Sequence, residues 1–336
     1  MNVRIATILM LLLLTAALSG RKAIAMDLVV IQGAAGEPRY QEQFSEWADG
    51  WSDISSHLQA RLHRINQGSP SRSAREECFE TLGKFEGDGN TPLWLVLIGH
   101  GTFAQDQAKF NLVGPDISAG ELSERLKEVR RPTLVVNCAS ASGPFVDRLS
   151  GINRIVITAT KSGHEQNFAR FGGDLVSMAS HPASDLDHDG SVSLLEAFLA
   201  ASKATAQHYR DQGLLATEHP MIDDNGDRTG TTADFFRGIR VARRSSDAPA
   251  VDGNLAHQWT IRHISREPEL KPESKQRRDR LESQLEQLRR QKKTISEDDY
   301  YAQIEPLLVE IATLYESEVH RRDPSVRDRS IQAVSE

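Results

Sequence analysis

The chain has 336 residues and a formal net charge of −7, with 40 lysines and arginines against 47 acidic residues. A chain of this length suggests one large domain with an appendage, or two domains. Its two cysteines are too few for a disulfide-held scaffold. No segment of the expected domain has the composition of a phosphate-binding surface, which argues against nucleic acid as a partner.

Residues 1–25 predict a secretory signal peptide that is removed from the folded protein. Arg4 precedes the apolar stretch Ile5–Leu18, and Ala23-Ile-Ala25 has the small-x-small form of a cleavage site. The apolar stretch is too short to favour a membrane span, although an uncleaved N-terminal anchor is the alternative. We therefore expect an exported protein, periplasmic or extracellular, without an integral membrane segment after cleavage.

Apolar runs alternate with amphipathic segments along residues 26–242. Strands are predicted at 28–31, 94–98, 133–138 and 154–159, and helices at about 41–65, 74–85, 118–129 and 168–179. Nearly continuous apolar strands separated by helices are typical of a parallel sheet covered on both faces. We predict an α/β domain over residues 26–242, with a mostly parallel sheet flanked by helices.

Two of these predicted strands end on a potentially reactive side chain. Residues 94–98 lead to His100, and residues 133–137 lead directly to Cys138. Ligands and catalytic groups gather at the carboxyl ends of strands in such a sheet, so we expect the two side chains to lie within reach of each other. A thiol beside an imidazole is the minimal machinery for nucleophilic acyl transfer. The N–H groups of Gly101 and Cys138 are the expected oxyanion hole.

The same residues also allow a structural interpretation. Gly-His-Gly at a strand end is often only a turn, and a cysteine at a strand end is often only buried. Cys78 lies in a predicted amphipathic helix and is expected to be a small buried hydrophobe. A disulfide between Cys78 and Cys138 would block the nucleophile and favour a binding protein.

Residues 185–196 match the twelve-residue EF-hand calcium loop. Asp185, Asp187 and Asp189 occupy positions 1, 3 and 5, Ser191 offers its carbonyl at position 7, and Glu196 is the bidentate ligand at position 12. Hard oxygen donors at this spacing suit Ca²⁺ better than a transition metal. We predict a structural calcium site followed by a helix from Leu194 to Tyr209; the alternative is a solvated acidic loop.

A second acidic turn, with Asp223, Asn225 and Asp227, has the same 1-3-5 beginning but no glutamate at position 12. Calcium binding and a simple turn are both consistent with this pattern.

The remaining chain differs in character from residues 26–242. We predict a linker at 243–272, a helical hairpin or short coiled coil at 273–320, and disorder at 321–336. Pro306 is expected to kink the second helix unless it lies near the start. Packing of the hairpin onto the main domain and self-association both remain open.

An apolar run ending on His100-Gly101, followed by one ending on Cys138, resembles the caspase-like cysteine peptidases. This clan includes legumain, caspases, gingipains and separase, and the legumain-like branch is the more similar one. The resemblance covers roughly residues 27–240, and implies a caspase-like fold with His100 and Cys138 as the catalytic pair. Val136-Asn137 stands where many relatives have Gln-Ala or Glu-Ala before the cysteine.

The resemblance also implies where the substrate side chain binds. Residues 155–165 look like the family segment that borders the S1 pocket, which makes Ser162 and Glu165 candidates. The stretch ending at Asp174 resembles one where legumains place another S1 acid. Asp174 or Glu165 in that pocket would favour a basic or amide P1 side chain.

The sequence therefore predicts an exported, calcium-stabilised cysteine endopeptidase that acts on a protein or peptide substrate through an acyl-enzyme. The alternatives are a catalytically inactive calcium-binding scaffold on the same fold, and a transpeptidase.

Overall fold

A computed structural model describes residues 26–66, 72–87, 89–242, 252–264, 271–292 and 294–322, with the backbone alone for 272 and 316–322. The chain divides into two compact units. The first unit contains residues 26–187 and 192–262, and the second contains 188–191 and 263–322. The predicted signal peptide lies outside the described residues.

The helices and strands of the described residues follow one another along the chain. In chain order they are β1 (Asp27–Gln32), α1 (Pro38–His57), β2 (Arg61–Ile65), α2 (Ala74–Gly83), β3 (Leu93–Ile98), β4 (Gly101–Ala104), β5 (Gln107–Phe110), β6 (Ile117–Ser118), α3 (Ala119–Lys127), β7 (Thr133–Asn137), α4 (Pro144–Leu149), β8 (Arg154–Thr158), α5 (Phe171–Ala179), β9 (Ser191–Ser193), α6 (Leu194–Asp211), β10 (Met221–Asp223), β11 (Thr231–Thr232), β12 (Phe236–Arg237), β13 (Arg240–Val241), α7 (Asn254–Gln258), β14 (Thr260–His263), α8 (Pro272–Gln291) and α9 (Glu297–Arg322).

A seven-stranded sheet forms the centre of the first unit, in the order β11-β10-β8-β7-β3-β1-β2. The five strands from β8 to β2 run parallel, whereas β10 is antiparallel to β8 and β11 is antiparallel to β10. Every residue of β1, β3 and β7 is buried, as expected for strands covered on both faces. The prediction of a mixed α/β fold with a mostly parallel sheet flanked by helices is therefore confirmed.

Alternate strand residues point into two separate cores. On one face, β-strand residues such as Val29, Leu95 and Val135 share a cluster with side chains of α2, α3 and α4. On the other face, α1 contacts β1, β3 and α5, and α5 packs on α6. Cys78 of α2 is buried in the first of these cores, and burial raises the pKa of its thiol to about 12, so it behaves as a small hydrophobe.

The helix predicted over residues 41–65 is shorter than expected. Helix α1 ends at His57, and Gln59 adopts a left-handed conformation with φ of 53°. Residues 61–65 then form β2, which pairs with β1. The prediction was wrong there because Leu62 fits both a helical step and an edge strand, and periodicity alone does not separate the two.

The predicted linker at 243–272 contains ordered elements. Residues 252–264 include helix α7 and strand β14. The buried Asp224 carboxylate accepts hydrogen bonds from the N–H groups of Gly253 and Ala256 at 2.9 and 2.8 Å. The Trp259 ring stacks on Trp94 with centroids 6.1 Å apart. These long-range contacts give structure to a segment whose composition resembles a linker; residues 243–251 and 265–270 lie outside the described residues.

In the second unit, α8 packs on α9. Leu281, Leu285, Leu288 and Tyr300 are buried, and Arg277 forms an ion pair with Glu310. Pro306 lies inside α9, which extends to Arg322; the rest of the segment predicted to be disordered lies outside the described residues. None of the helices in the described part of the chain is long and apolar enough to cross a membrane. Self-association through this unit stays a prediction.

Candidate active site

His100 and Cys138 follow neighbouring strands of the sheet. His100 lies two residues after β3 ends, and Cys138 comes directly after β7. The two strands pair in parallel with Leu97 opposite Asn137, and the Cys138 N–H donates to the Leu97 carbonyl at 2.9 Å. The parallel register brings both residues to one edge of the sheet.

The His100 ring is held in a half-buried, aromatic setting. The centroids of Tyr40, Phe44 and Phe168 lie 4.8, 5.2 and 6.0 Å from its own. Burial lowers the pKa of His100 below its ordinary value of 6.5, opposed by the hydrogen bond to the Ala35 carbonyl and by the charge of Glu37. The imidazole is therefore neutral at pH 7 and able to accept a proton.

The Ala35 carbonyl oxygen lies 3.2 Å from His100 Nε2. Assigning the ring proton to Nε2 satisfies this bond and leaves the Nδ1 lone pair for the thiol proton. Ala35 thus has the orienting role for which sequence analysis named no residue. It lies in the loop that follows β1, the strand next to β3, but a backbone carbonyl has no residue-type signature to detect.

The Cys138 thiol is covered in this structure. The residue is fully buried, and this burial, together with the charge of Glu218, raises the pKa of its thiol to about 12. A Cβ atom built on Gly172 would lie 2.7 Å from Cys138 Cβ and 2.9 Å from the Trp47 ring. Within the described part of the chain, no hydrogen bond involves this thiol, and neither cysteine is in a disulfide.

Both N–H groups of the predicted oxyanion hole have acceptors within the protein. The Gly101 N–H donates to Ser140 Oγ at 3.2 Å, and the Cys138 N–H is used by Leu97. A Cβ on Gly101 would lie 2.2 Å from the Ser140 carbonyl oxygen, so glycine is needed there for the approach of two loops. These donors become available to an oxyanion only when their present bonds are exchanged, which local sequence patterns could not reveal.

The Asp174 carboxylate, a candidate for the S1 pocket, is bound by neighbouring side chains. Arg170 donates to it from Nε and a terminal nitrogen at 3.0 and 3.2 Å, and Thr205 Oγ1 donates at 2.7 Å. The paired guanidinium offsets the charge of this carboxylate. The partners lie on α6 and just before α5, so local sequence gave no sign of the Thr205 contact.

The loop after β8, which holds Ser162 and Glu165, lies against the segments that follow Cys138 and His100. A Cβ on Gly143 would lie 2.4 Å from Ser162 N, and the Ala141 N–H donates to the Glu165 carbonyl at 2.8 Å. On the other side, Gln166 Nε2 donates to the Phe103 carbonyl at 3.3 Å. The loop thus contacts the segments that follow Cys138 and His100, and a role for Ser162 and Glu165 in substrate binding stays a prediction.

The Glu165 carboxylate is already engaged by neighbouring groups. It accepts from the N–H groups of Lys161 and His219 at 2.9 and 3.2 Å, and it lies 2.5 Å from His219 Nδ1. His219 precedes β10, whose amino end lies at the carboxyl end of β8 because the two are antiparallel. Recognising that antiparallel strand in the sequence would have placed His219 at this edge.

Glu218 is another residue near the candidate site that sequence analysis missed. It is 2% exposed, and its carboxylate accepts from the N–H groups of Arg170 and Phe171 at 3.0 Å each and from the Tyr209 hydroxyl at 3.0 Å. Burial raises the pKa of Glu218 to about 7, against the lowering effect of these hydrogen bonds. A buried carboxylate thus holds the beginning of α5, the segment that covers Cys138.

The first acidic loop brings three carboxylates together. Carboxylate oxygens of Asp185, Asp187 and Asp189 lie within 4.8 Å of one another. Positive φ angles at His188 and Gly190, 61° and 86°, turn the loop tightly. Three oxygens at this spacing fit the first part of the predicted calcium ligand set.

The other predicted ligands of this loop make protein contacts. Glu196 accepts from the N–H groups of Leu186 and Ser193 at 2.7 and 2.8 Å and closes a capping box at the start of α6. Ser191 donates from its N–H and hydroxyl to Asp189 at 2.9 and 2.7 Å, and Arg278 donates to the same carboxylate at 2.9 Å. A bidentate role for Glu196 requires its present bonds to be exchanged.

The second acidic turn is a tight, self-bonded loop. Buried Asp223 accepts from the N–H groups of Gly226 and Arg228 at 3.0 and 3.1 Å. Asn225 accepts from Asp227 N–H at 2.8 Å, while Asn225 Nδ2 and Asp227 Oδ2 are buried without a hydrogen-bond partner. The geometry is compatible with the turn and with the metal prediction alike.

No protein-family model matches the chain, and no curated protein matches it. Among solved structures, the chain is similar to the Drosophila initiator caspase Dronc, with a TM-score of 0.41 and 11% identity, over 61% of this chain and 81% of that chain. It is also similar to caspase-1 from Spodoptera frugiperda, with a TM-score of 0.40 and 11% identity, over 61% of this chain and 91% of that chain. Likeness at this level assigns neither a family nor an activity to the chain.

Proposed function

We propose that the chain is an exported cysteine peptidase of the caspase or legumain type, with Cys138 as nucleophile and His100 as general base. The observation that carries the proposal is the parallel pairing of β3 and β7, which brings both residues to one sheet edge. The Ala35 carbonyl supports it, because it leaves one nitrogen of a neutral His100 ring available. Export is inferred from residues 1–25 alone.

The proposed reaction begins with transfer of the Cys138 proton to His100 Nδ1. The thiolate attacks the substrate carbonyl carbon, and the oxyanion that forms takes hydrogen bonds from the Gly101 and Cys138 N–H groups. The C–N bond breaks as His100 returns the proton to the leaving amine. Water, activated by His100, then hydrolyses the thioester and regenerates the thiol.

Labelling of the mature protein with peptidyl acyloxymethyl ketones of varied P1 side chain tests this function. We expect Cys138 to be alkylated, with loss of the acyloxy group as a carboxylate, in the wild type and in Cys78→Ala, the matched cysteine control, and Cys138→Ala to abolish labelling. His100→Ala should slow it by roughly 10²- to 10⁴-fold, the usual contribution of a general base. Equal labelling of both cysteines, with no effect of His100, would contradict the proposal.

Calcium is proposed as a stabilising ion at residues 185–196, supported by the spacing of Asp185, Asp187 and Asp189. Calorimetric titration of the chelator-treated protein with CaCl₂ should give a Kd of roughly 10⁻⁵ to 10⁻³ M. Asp187→Asn should weaken binding, whereas the exposed Asp211→Asn should not. Arg278→Gln should tighten it, because Arg278 competes for the Asp189 carboxylate. Equal heats of CaCl₂ binding in the wild type and in all of these variants would contradict a calcium site at residues 185–196.

A catalytically inactive binding protein is the second candidate, and one observation favours it. The thiol of Cys138 is fully buried with a pKa of about 12, and both expected oxyanion donors are engaged. The labelling experiment separates the two candidates, since an inactive fold leaves Cys138 unreactive to every peptidyl probe.

A further inference from the structure

The covering turn, residues 170–173 at the beginning of α5, lies directly on the nucleophile. Gly172 is in contact with Cys138, since a Cβ atom there would come within 2.7 Å of Cys138 Cβ. Cys138 itself has no exposed surface. A substrate carbonyl can therefore reach the thiol only after the covering turn or a neighbouring group moves.

Two successive glycines allow the covering turn to fit between Cys138 and the Trp47 indole. A Cβ on Gly172 would lie 2.9 Å from the Trp47 ring, and one on Gly173 would lie 2.5 Å from Trp47 Nε1. Distances this short are not sustained by real side chains, so any residue larger than glycine would push the turn away from the thiol.

Glu218 holds the covering turn from its other side. Its carboxylate accepts from the N–H groups of Arg170 and Phe171 at 3.0 Å. The first N–H groups of a helix have no acceptor within the helix itself, so Glu218 supplies one. The Tyr209 hydroxyl, 3.0 Å away, fixes the same carboxylate. Charge-assisted bonds of this kind are about twice as strong as neutral ones.

We propose that Glu218 is a positioning residue that latches the covering turn over Cys138 and sets how often the thiol is open to a substrate. The inference rests on the proposed function, because control of access to Cys138 matters only if Cys138 acts as a nucleophile. Coverage of the Cys138 thiol by the turn can nevertheless be measured without any peptidase activity, so the latch is tested independently. Opening breaks the two bonds to Glu218 and lifts Gly172 off Cys138.

The rate of alkylation of Cys138 by iodoacetamide tests the latch in the full chain carrying Cys78→Ala. A covered thiol reacts only through its open form, so the plateau rate at alkaline pH, relative to a free thiol, reports the open fraction. The variants are Glu218→Ala, Glu218→Gln and Gly172→Ala, with Asp211→Ala, which removes an exposed carboxylate at the end of α6, as the control.

Glu218→Ala should raise the plateau rate by at least about tenfold, the factor that corresponds to about 1.4 kcal/mol of lost closing free energy. Glu218→Gln keeps one acceptor oxygen and should fall between Glu218→Ala and the wild type. Gly172→Ala should also raise the plateau by about tenfold or more without changing any charge. Asp211→Ala should stay within about twofold of the wild type, as is usual for an exposed substitution.

A wild-type rate equal to that of a free thiol would overturn the proposal, as would wild-type rates in both Glu218→Ala and Gly172→Ala. If Glu218→Ala does not fold, Gly172→Ala and Glu218→Gln decide the matter. Failure of every peptidyl probe to label Cys138, combined with the expected iodoacetamide rates, would remove the peptidase but leave the latch.

Discussion

At the scale of single residues, the candidate site depends on close backbone approaches that only glycine permits. Gly101 lets the loop after β3 meet the Ser140 carbonyl, and Gly172 lets the covering turn rest on Cys138. Neither position requires a left-handed backbone, since no positive φ is found at either. Space, rather than conformational freedom, is the reason for glycine at both.

Gly101→Ala should therefore destabilise the protein by roughly 1–3 kcal/mol, the usual cost of overpacking, because the new Cβ meets a backbone oxygen that cannot rotate away. Gly120→Ala is the matched control, since a Cβ there meets nothing within 4 Å and alanine favours helix α3. Urea unfolding of both variants checks this. A Gly101→Ala midpoint at or above that of Gly120→Ala would show that the loops are free to separate.

At the scale of elements, helix beginnings are held by acidic side chains in two different ways. Ser118 with Glu121 and Ser193 with Glu196 form capping boxes within a few residues. The beginnings of α5 and α7 are instead held by Glu218 and Asp224, which lie 47 residues after Phe171 and 29 residues before Gly253. Local caps stabilise one helix, whereas these distant carboxylates also fix where the helix lies.

Asp224→Ala should release α7 and lower the free energy of unfolding by roughly 2–3 kcal/mol, because buried N–H groups lose a charged acceptor. Limited proteolysis should then cleave within residues 252–264 before the rest of the first unit, alongside a lower urea midpoint. The exposed Asp211→Ala should change stability by less than about 0.5 kcal/mol. Equal behaviour of the two variants would mean that other contacts hold α7.

At the scale of the whole molecule, the parallel sheet places its reactive residues, a buried carboxylate and the covering turn at one edge. The apolar strands β3 and β7 have no exposed residue, so water is excluded below this edge. The low-polarity setting lowers the pKa of His100 and raises the pKa of Cys138 and Glu218. The fold thereby favours the neutral forms of His100 and Cys138 at pH 7, while the pKa of Glu218 lies close to that pH.

The free energy of unfolding of the first unit should fall as the pH rises from 4.5 to 8. The pKa of Glu218 is raised from 4.5 to about 7, so the folded form binds its proton more tightly than the unfolded form. Its contribution is fully present below pH 4.5 and lost as pH passes 7, a change of roughly 3 kcal/mol. Urea unfolding from pH 4.5 to 8 measures the slope. Glu218→Gln should make it shallower, while Asp224 and Asp252, whose pKa values burial raises to about 6 and 8, keep the rest of it. A wild-type slope as flat as that of the variant would refute this assignment.

The amino-acid sequence by itself determined the features that depend on neighbouring residues. Apolar runs predicted the strands that end before His100 and Cys138, and the Ser118 cap marked the start of a helix. The three aspartates of residues 185–189 alternate along a tightly turned loop, which brings their carboxylates together. Patterns of this kind act over a few residues, so the chain displays them without its tertiary structure.

Only the tertiary structure decided how the site is arranged around these residues. The Ala35 carbonyl, which contacts His100, lies 65 positions before it in the chain. Arg170 and Thr205 both bind the Asp174 carboxylate. Glu218, which follows α6, accepts hydrogen bonds from the beginning of α5. Residues 252–264, whose composition resembles a linker, are likewise held by contacts distant in sequence, made through Asp224 and Trp259. Backbone groups carry no signature in a sequence, and packing over such separations depends on which surfaces meet in the folded chain.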